Sequence, residues 1–340
     1  MNYIVFDLEW NQCPGGKERE NPRIPFEIIE IGAVKLTEKL VQIGTFHEVI
    51  KPLVYHRLHW RMREVVPITE EEFSHARTFS RVVKDFISWC GDGDYTFVTW
   101  GNMDLNELQR NMDYYRIPNT FEKPLLYFDL QKMYSLRYDD GKVKKSLGDA
   151  VQELGITSDL NFHRAYEDAY YTSRVMQEMD LKPVKHYVSV DYHRPPENRE
   201  EEINLDFKTY TKYVSQMFDS KDEAMADKNV RLMKCYKCRL PVWRRVKWYS
   251  VGNNMYLSLV QCPRHGYVKG KIRIKKGPDD KVFAVRTIKA ADDDAVKAIY
   301  EKRDQIRQKR KDLKKKKKKP GNANANPAEN TSIETETSET

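Results

Sequence analysis

Tyr3-Ile4-Val5-Phe6-Asp7-Leu8-Glu9-Trp10 is an apolar run broken by two acids. In a strand, side chains two residues apart share a face, so Asp7 and Glu9 project together. The remaining apolar residues suit a central strand buried on both faces. Two adjacent carboxylates at the end of such a strand repel one another, and a divalent cation held by oxygen ligands is the usual remedy. The plain alternative is a strand end whose acids face water. The choice between them rests on what lies further along the chain.

Downstream, Phe26–Leu36 and Gly44–Ile50 read as two more strands, which with the first suggest a meander. The intervening Gly/Pro/charge-rich segment from Asn11 to Pro25 reads as a mobile rim. Ser80–Trp89 carries a helical apolar stripe, and Tyr95–Trp100 is β-branched and aromatic, as strands are. Gly101-Asn102 breaks that strand, and Asp104 opens a helix to about Tyr115. Asp104 thus stands where a strand end meets a helix N-terminus, a common address for functional residues in mixed sheets. Its plain reading is an acid that complements the helix dipole. Tyr127–Leu130 is a short element followed by a basic loop with Lys142, Lys144 and Lys145. His163-Arg164-Ala165-Tyr166-Glu167-Asp168 leads into a helix ending near Met179. Residues five apart on a regular helix diverge by about 140°. His163 and Asp168 can share a site only if His163 lies in the loop and Asp168 one turn inside.

Composition frames these motifs. The 340 residues predict two or three domains. No apolar run is long enough to span a membrane, and no signal peptide precedes the first strand. Five cysteines, three of them clustered late, suggest reduced thiols and a cytoplasmic protein, with Cys13 and Cys90 as plain thiols. The net charge of +8 conceals an asymmetry. Residues 1–229 hold 30 Lys+Arg against 39 Asp+Glu, whereas residues 230–289 hold 16 against 2. A basic block of that kind is the footprint of a polyanion partner.

Within the basic block, Cys235-x2-Cys238 and Cys262-x2-His265 form two knuckles of the spacing used by tetrahedral structural zinc. Probable strands at 240–249, 255–261, 268–275 and 282–289 complete a zinc ribbon that needs its metal to fold. Alternation in the first strand predicts Trp243, Arg245, Lys247 and Tyr249 on one face. In a later strand, Lys271 and Arg273 share a face opposite Ile272 and Ile274. Cations interleaved with aromatics suit a nucleic-acid single strand. The expected division is 1–182 for the catalytic domain, 183–229 for a linker with short helices and 230–289 for the ribbon. Residues 290–319 then read as a basic helix and 320–340 as a disordered tail.

Asp7, Glu9, Asp104 and Asp168 are four carboxylates with His163 alongside. Two Mg²⁺ or Mn²⁺ ions about 4 Å apart would neutralise them and suit in-line attack of water on a phosphodiester, with His163 as general base. Phe-Asp-Leu-Glu, Trp-Gly-Asn-Met-Asp and His-x4-Asp stand in the order of the three motifs of the DEDDh 3′–5′ exonucleases, of the RNase T/DnaQ-like superfamily. The resemblance covers about residues 1–180 and is nearest the RNA-trimming branch related to histone-mRNA and small-RNA exonucleases. It implies an RNase H-like α/β fold, a mixed sheet flanked by helices. The tyrosine version of the family would need Tyr at position 164, where Arg stands, so the implied base is histidine. Trp10 replaces the alanine that this branch often carries after the first Glu. Trp10 and Trp100 are candidates to stack on a terminal base, with sheet core as the alternative for Trp100. The expected function is a metal-dependent 3′–5′ exonuclease acting on single-stranded RNA 3′ ends, with one structural zinc. A DNA exonuclease and a non-catalytic adaptor are the competing readings.

Overall fold

The structure is a computed structural model that describes residues 1–65, 68–139, 141, 143–157 and 163–318. The chain divides into two units, Met1–Leu232 with Ile274–Thr287, and Met233–Arg273 with Ile288–Thr340.

In the first unit, β1 (Asn2–Gln12), β2 (Phe26–Leu36) and β3 (Gln42–Lys51) form the expected antiparallel meander. Helices α1 (Trp60–Val65) and α2 (Glu70–His75) precede a short β4 (Arg77–Thr78) and α3 (Phe79–Cys90). Next come β5 (Tyr95–Thr99), α4 (Asp104–Tyr114), β6 (Leu126–Asp129), α5 (Leu130–Tyr138), α6 (Leu147–Glu153) and α7 (Ala165–Glu178). With β7 (Ser189–Val190) the strands make one seven-stranded mixed sheet of order β4-β3-β2-β1-β5-β6-β7. This is the RNase H-like arrangement, with β1 at its centre and β5 parallel to it. Ile4, Phe6 and Leu8 pack on one side with Val82, Phe86, Leu105 and Leu108, and Tyr3 and Val5 pack on the other with Tyr171 and Val175. The two acids of β1 therefore interrupt a strand that is otherwise core on both faces.

The expected linker contains sheet instead. Besides β7, residues 183–229 form the antiparallel pair β8 (Ile203–Phe207) and β9 (Tyr210–Phe218), then α8 (Lys221–Ala226) and α9 (Lys228–Arg231). Pro195-Pro196 and the acids around them hide the period-two pattern of Ile203, Leu205 and Phe207. Ile203 and Val214 pack with Phe283 and Val285, which is why the segment 274–287 groups with the first unit and not with the ribbon. Between β6 and the basic loop lies the unexpected helix α5, which Asp129 caps, its side chain accepting from the Lys132 N–H at 2.9 Å; Lys144 and Lys145 lie in a loop as expected, and Lys142 is outside the described residues.

In the second unit, β10 (Trp243–Gly252), β11 (Met255–Cys262) and β12 (Gly266–Lys276) run antiparallel in sequence. After β13 (Val282–Ala290) comes α10 (Asp293–Lys318). Val296 and Ile299 of α10 pack with Val246 and Leu259, while Leu313 further along is exposed. The tail expected at 320–340 lies outside the described residues. Among the described residues no helix is long and apolar enough to cross a membrane.

Candidate active site and cysteine–histidine cluster

Asp7 and Glu9 sit opposite Gly32 and Glu30 in the β1–β2 register. The missing side chain at Gly32 decides what comes next. A Cβ there would lie 2.1 Å from the Ala165 carbonyl carbon and the Tyr166 nitrogen. Only glycine lets the first turn of α7 press onto the strand, a close approach of the kind that interior strand glycines mark. That contact carries Asp168 to the sheet. One carboxylate oxygen from each of Asp7, Glu9 and Asp168 lies within 4.8 Å of the others. Asp104, the first residue of α4, is buried, and its carboxyl accepts from the Leu8 N–H of the catalytic strand. It falls outside the 4.8 Å group but close enough to push up the Asp7 pKa. His163 is exposed, has a left-handed φ of 73°, and its backbone N–H bonds the Asp168 carboxyl. The offset of five thus works as expected, with His163 outside the helix and Asp168 inside.

All four acids are shifted toward the protonated form. Burial, then the charges of Asp104, Asp168, Glu9 and Glu30, raise Asp7 well above the carboxylate range. Burial with Asp168 and Glu30 pushes Glu9 to about 8. Burial takes Asp104 to about 7 despite the N–H donors that oppose it, and Asp168 to about 6 despite His163. Desolvation and like-charge repulsion both disfavour the ionised cluster. Asp168 Oδ1 is also buried without a hydrogen-bond partner among the described residues. Crowded oxygen donors, raised pKa values and an orphaned oxygen are what a hard-cation site looks like before its charge is balanced.

Glu30, the register partner of Glu9, behaves oppositely. Burial pushes its pKa up, yet hydrogen bonds from His47, Arg164 and the Ala165 N–H hold it below the usual value. Arg164 Nε donates to Glu30 Oε1 at 2.8 Å, the Ala165 N–H donates to Oε2 at 3.1 Å, and Arg164 Nη2 also reaches Glu72 at 3.2 Å. The N-cap residue of α7 is Arg164, which supplies no side-chain cap. Glu30 does so from the neighbouring strand. Neither Glu30 nor Gly32 was singled out by sequence reasoning, though a glycine inside a strand was the available signal.

Trp10 and Trp100 are half-buried. The Trp10 ring lies 5.7 Å from Phe26, and Trp100 lies 5.9 Å from Tyr134 with its Nε1–H donating to the Lys145 carbonyl. Both pack against core clusters.

In the second unit, Cys235, Cys238, Cys262 and His265 converge, each offering a ligand atom within 4.8 Å of the rest. Cys235 Sγ is 3.5 Å and Cys262 Sγ 3.7 Å from His265 Nδ1, and Cys238 Sγ is 3.6 Å from Cys262 Sγ. A tetrahedron with 2.3 Å zinc–sulfur bonds has edges of about 3.8 Å. The donor set and its spacing fit one zinc.

Trp243, Arg245 and Lys247 are exposed on β10, with the Arg245 guanidinium 6.0 Å over the Trp243 ring. Tyr249 is not on their face. Register shifts on either side of Val246 break the alternation, so Tyr249 packs with Val246, Leu259 and Ile299, and its hydroxyl donates to the Ile299 carbonyl at 2.9 Å. On β12 the alternation holds, with Lys271 and Arg273 exposed and Val268 and Ile272 buried.

A family model described as "Exonuclease", RNase T, matches residues 4–176. The chain is 28% identical over 166 residues to the probable 3′-5′ exonuclease KapD of Bacillus subtilis, covering 49% of this chain and 78% of that protein. It is 23% identical over 173 residues to 3′-5′ exoribonuclease 1 of Homo sapiens, covering 48% of this chain and 49% of the human protein. It thus spans about half the human protein's length. Among solved structures, the nuclease domain of 3′hExo, a DEDDh family member bound to rAMP, aligns with a TM-score of 0.46 and 22% identity, over 56% of this chain and 96% of that one.

Proposed function

The chain belongs to the RNase T exonuclease family, and from that membership we propose that it removes nucleotides one at a time from the 3′ end of single-stranded RNA. As a 3′–5′ exonuclease of the DEDDh superfamily it needs a water nucleophile, a proton acceptor and a countercharge at the scissile phosphate. The observation that carries the reading is the convergence of Asp7, Glu9 and Asp168, with the Asp104 charge near enough to raise Asp7, in a buried site that raises the pKa of all four. Those four residues are the proposed holders of two Mg²⁺ or Mn²⁺ ions. When bound, such ions neutralise the acids and acidify a coordinated water.

The chain's own groups supply the rest. His163, exposed beside the cluster, takes the proton from the attacking water. The bond from its N–H to Asp168 and the Glu30–Arg164–Ala165 clamp fix where its loop stands. Cys235, Cys238, Cys262 and His265 are the proposed ligands of one structural zinc, and Trp243, Arg245, Lys247, Lys271 and Arg273 form a proposed grip on the substrate. The preference for RNA draws support from the human relative, whose name is exoribonuclease. A cytoplasmic location, where the free cysteines stay reduced, completes the proposal.

End-labelled single-stranded RNA and DNA of one sequence, incubated with Mg²⁺ or EDTA, test it. The expected result is stepwise shortening of the RNA from the 3′ end, abolished by EDTA and slowed about 10²–10⁴-fold by His163→Ala. Faster degradation of the DNA would transfer the assignment to DNA. Hydrolysis unaffected by EDTA would remove it.

A further inference from the structure

His56-Arg57-Leu58-His59-Trp60-Arg61-Met62-Arg63 is a stretch of three arginines, two histidines and a tryptophan without an acid, inside a unit whose chain is acidic overall. Of the six tryptophans of this chain, it and Trp243 are the exposed ones. Trp60 is 57% exposed, whereas Trp10 and Trp100 are packed on the core. The Arg61 guanidinium lies 5.0 Å over the Trp60 ring, and the His59 ring stands 5.7 Å from it. His56, Arg57, Arg61 and Arg63 are all exposed around it.

Such a surface could be a solvated loop, but the structure ties its backbone to β1 beside Glu9. Asn11, two residues beyond Glu9 on β1, is fully buried. Its amide nitrogen donates to the carbonyls of Tyr55 and Arg57 at 2.9 and 3.0 Å, and its oxygen accepts from the His59 N–H at 2.9 Å. Asn11 was expected to open a mobile rim; instead it is the latch. Glu27, also buried, accepts from the backbone N–H groups of Leu53, Val54 and Tyr55. On the other flank, Leu58 and Met62 pack with Phe73 of α2, the helix whose Glu72 bonds Arg164 beside His163. The stretch is therefore tied at one end to the strand bearing Asp7 and Glu9, and at the other to the support of the general-base loop.

We infer that Trp60, with Arg57, Arg61 and Arg63, forms a subsite for the single-stranded substrate upstream of the scissile bond, the ring stacking on a base and the guanidinium groups facing phosphates. The inference rests on the nucleic-acid reading above and adds where the first unit, acidic as it is, grips its substrate. Stacking on an aromatic ring is tolerant of sequence because every base has a π-face. The charge of the stretch complements a polyanion, and the anchoring of its backbone at Arg57 and His59 reduces the ordering required on binding.

Two measurements test it, chosen so that failure of the subsite and failure of the exonuclease reading differ. First, kcat/KM is measured for RNA oligomers of two to ten nucleotides. The subsite predicts that the gain in efficiency with length falls about 5–150-fold in Trp60→Ala, mainly through KM, and largely returns in Trp60→Phe. Second, binding of a ten-nucleotide RNA is measured by anisotropy with Asp7→Asn as the background, where cleavage does not intervene. Adding Trp60→Ala should weaken binding, and adding Arg57→Gln, Arg61→Gln and Arg63→Gln should flatten its salt dependence. Unchanged length dependence together with unchanged affinity would overturn the subsite and leave the stretch to a protein partner. Binding weakened by Trp60→Ala, together with a wild-type protein that cleaves no oligomer, would keep the subsite and overturn the exonuclease reading.

Discussion

Replacing Gly32 by alanine adds one carbon atom at the point where α7 meets the sheet. That atom would stand 2.1 Å from two backbone atoms and 2.3 Å from the Ala165 carbonyl oxygen. Backbone cannot swing aside as a side-chain tip can. To restore an ordinary contact of about 3.5 Å, the first turn of α7 has to retreat by more than 1 Å. Overpacking of that kind typically costs about 1–3 kcal/mol. In a unit of this size, that lowers Tm by about 2–4 °C per kcal/mol. The larger effect falls on catalysis, because the retreating turn carries His163 and Asp168. A displacement of about 1 Å in a reacting group costs on the order of 10²-fold in rate. Gly32→Ala should therefore fold, melt a few degrees early, and lose about 10²-fold in kcat on an RNA oligomer, with KM changed far less. Calorimetry and steady-state kinetics on one preparation read both numbers. Wild-type kcat in a folded Gly32→Ala protein would refute the claim that this close approach sets the position of Asp168 and His163.

The other expectations are briefer. Asp7→Asn should abolish cleavage yet leave Tm unchanged or higher, since it removes one charge from a repelling cluster; a protein that retained turnover would exclude Asp7 as a ligand. Glu9, Asp104 and Asp168 have folded pKa values raised to about 8, 7 and 6, so the folded state holds protons that the unfolded chain releases near pH 4. Their stabilising contribution is complete below about pH 4 and disappears as pH rises through about 6–8. Metal-free protein should accordingly gain more in Tm from Mg²⁺ at pH 8 than at pH 5.5, and an equal gain at both would contradict the cluster. One zinc per chain should appear by elemental analysis, and Cys235→Ser should lose it together with protection of β10–β12 from hydrogen exchange, while α7 stays protected.

The four acids and His163 were legible because their spacing is a property of the sequence, and a strand pair, a helix start and a loop-plus-helix are local structures. The cysteine–histidine knuckles were legible for the same reason. What escaped was set by contacts between segments distant in sequence. Glu30 reads as one more strand residue until Arg164 and Ala165 are seen to converge on it. Asn11 reads as the start of a loop until Tyr55, Arg57 and His59 claim its amide. Tyr249 follows its neighbours in simple alternation, and only the bulges in its pairing with β11 turn it inward. The strand β8 was masked by Asp206 and the run of acids before it, whose solvent-loving character described the exposed face and concealed the buried one.

The four acids come from β1, from the start of α4 and from the first turn of α7, at positions 7, 9, 104 and 168. During synthesis the last acid emerges 64 residues after the third. At ribosomal speeds of about 5–20 residues per second, that is a delay of roughly 3–13 s. Throughout that interval the nascent chain lacks its fourth acid. The acid cluster is complete only once α7 lies over Gly32.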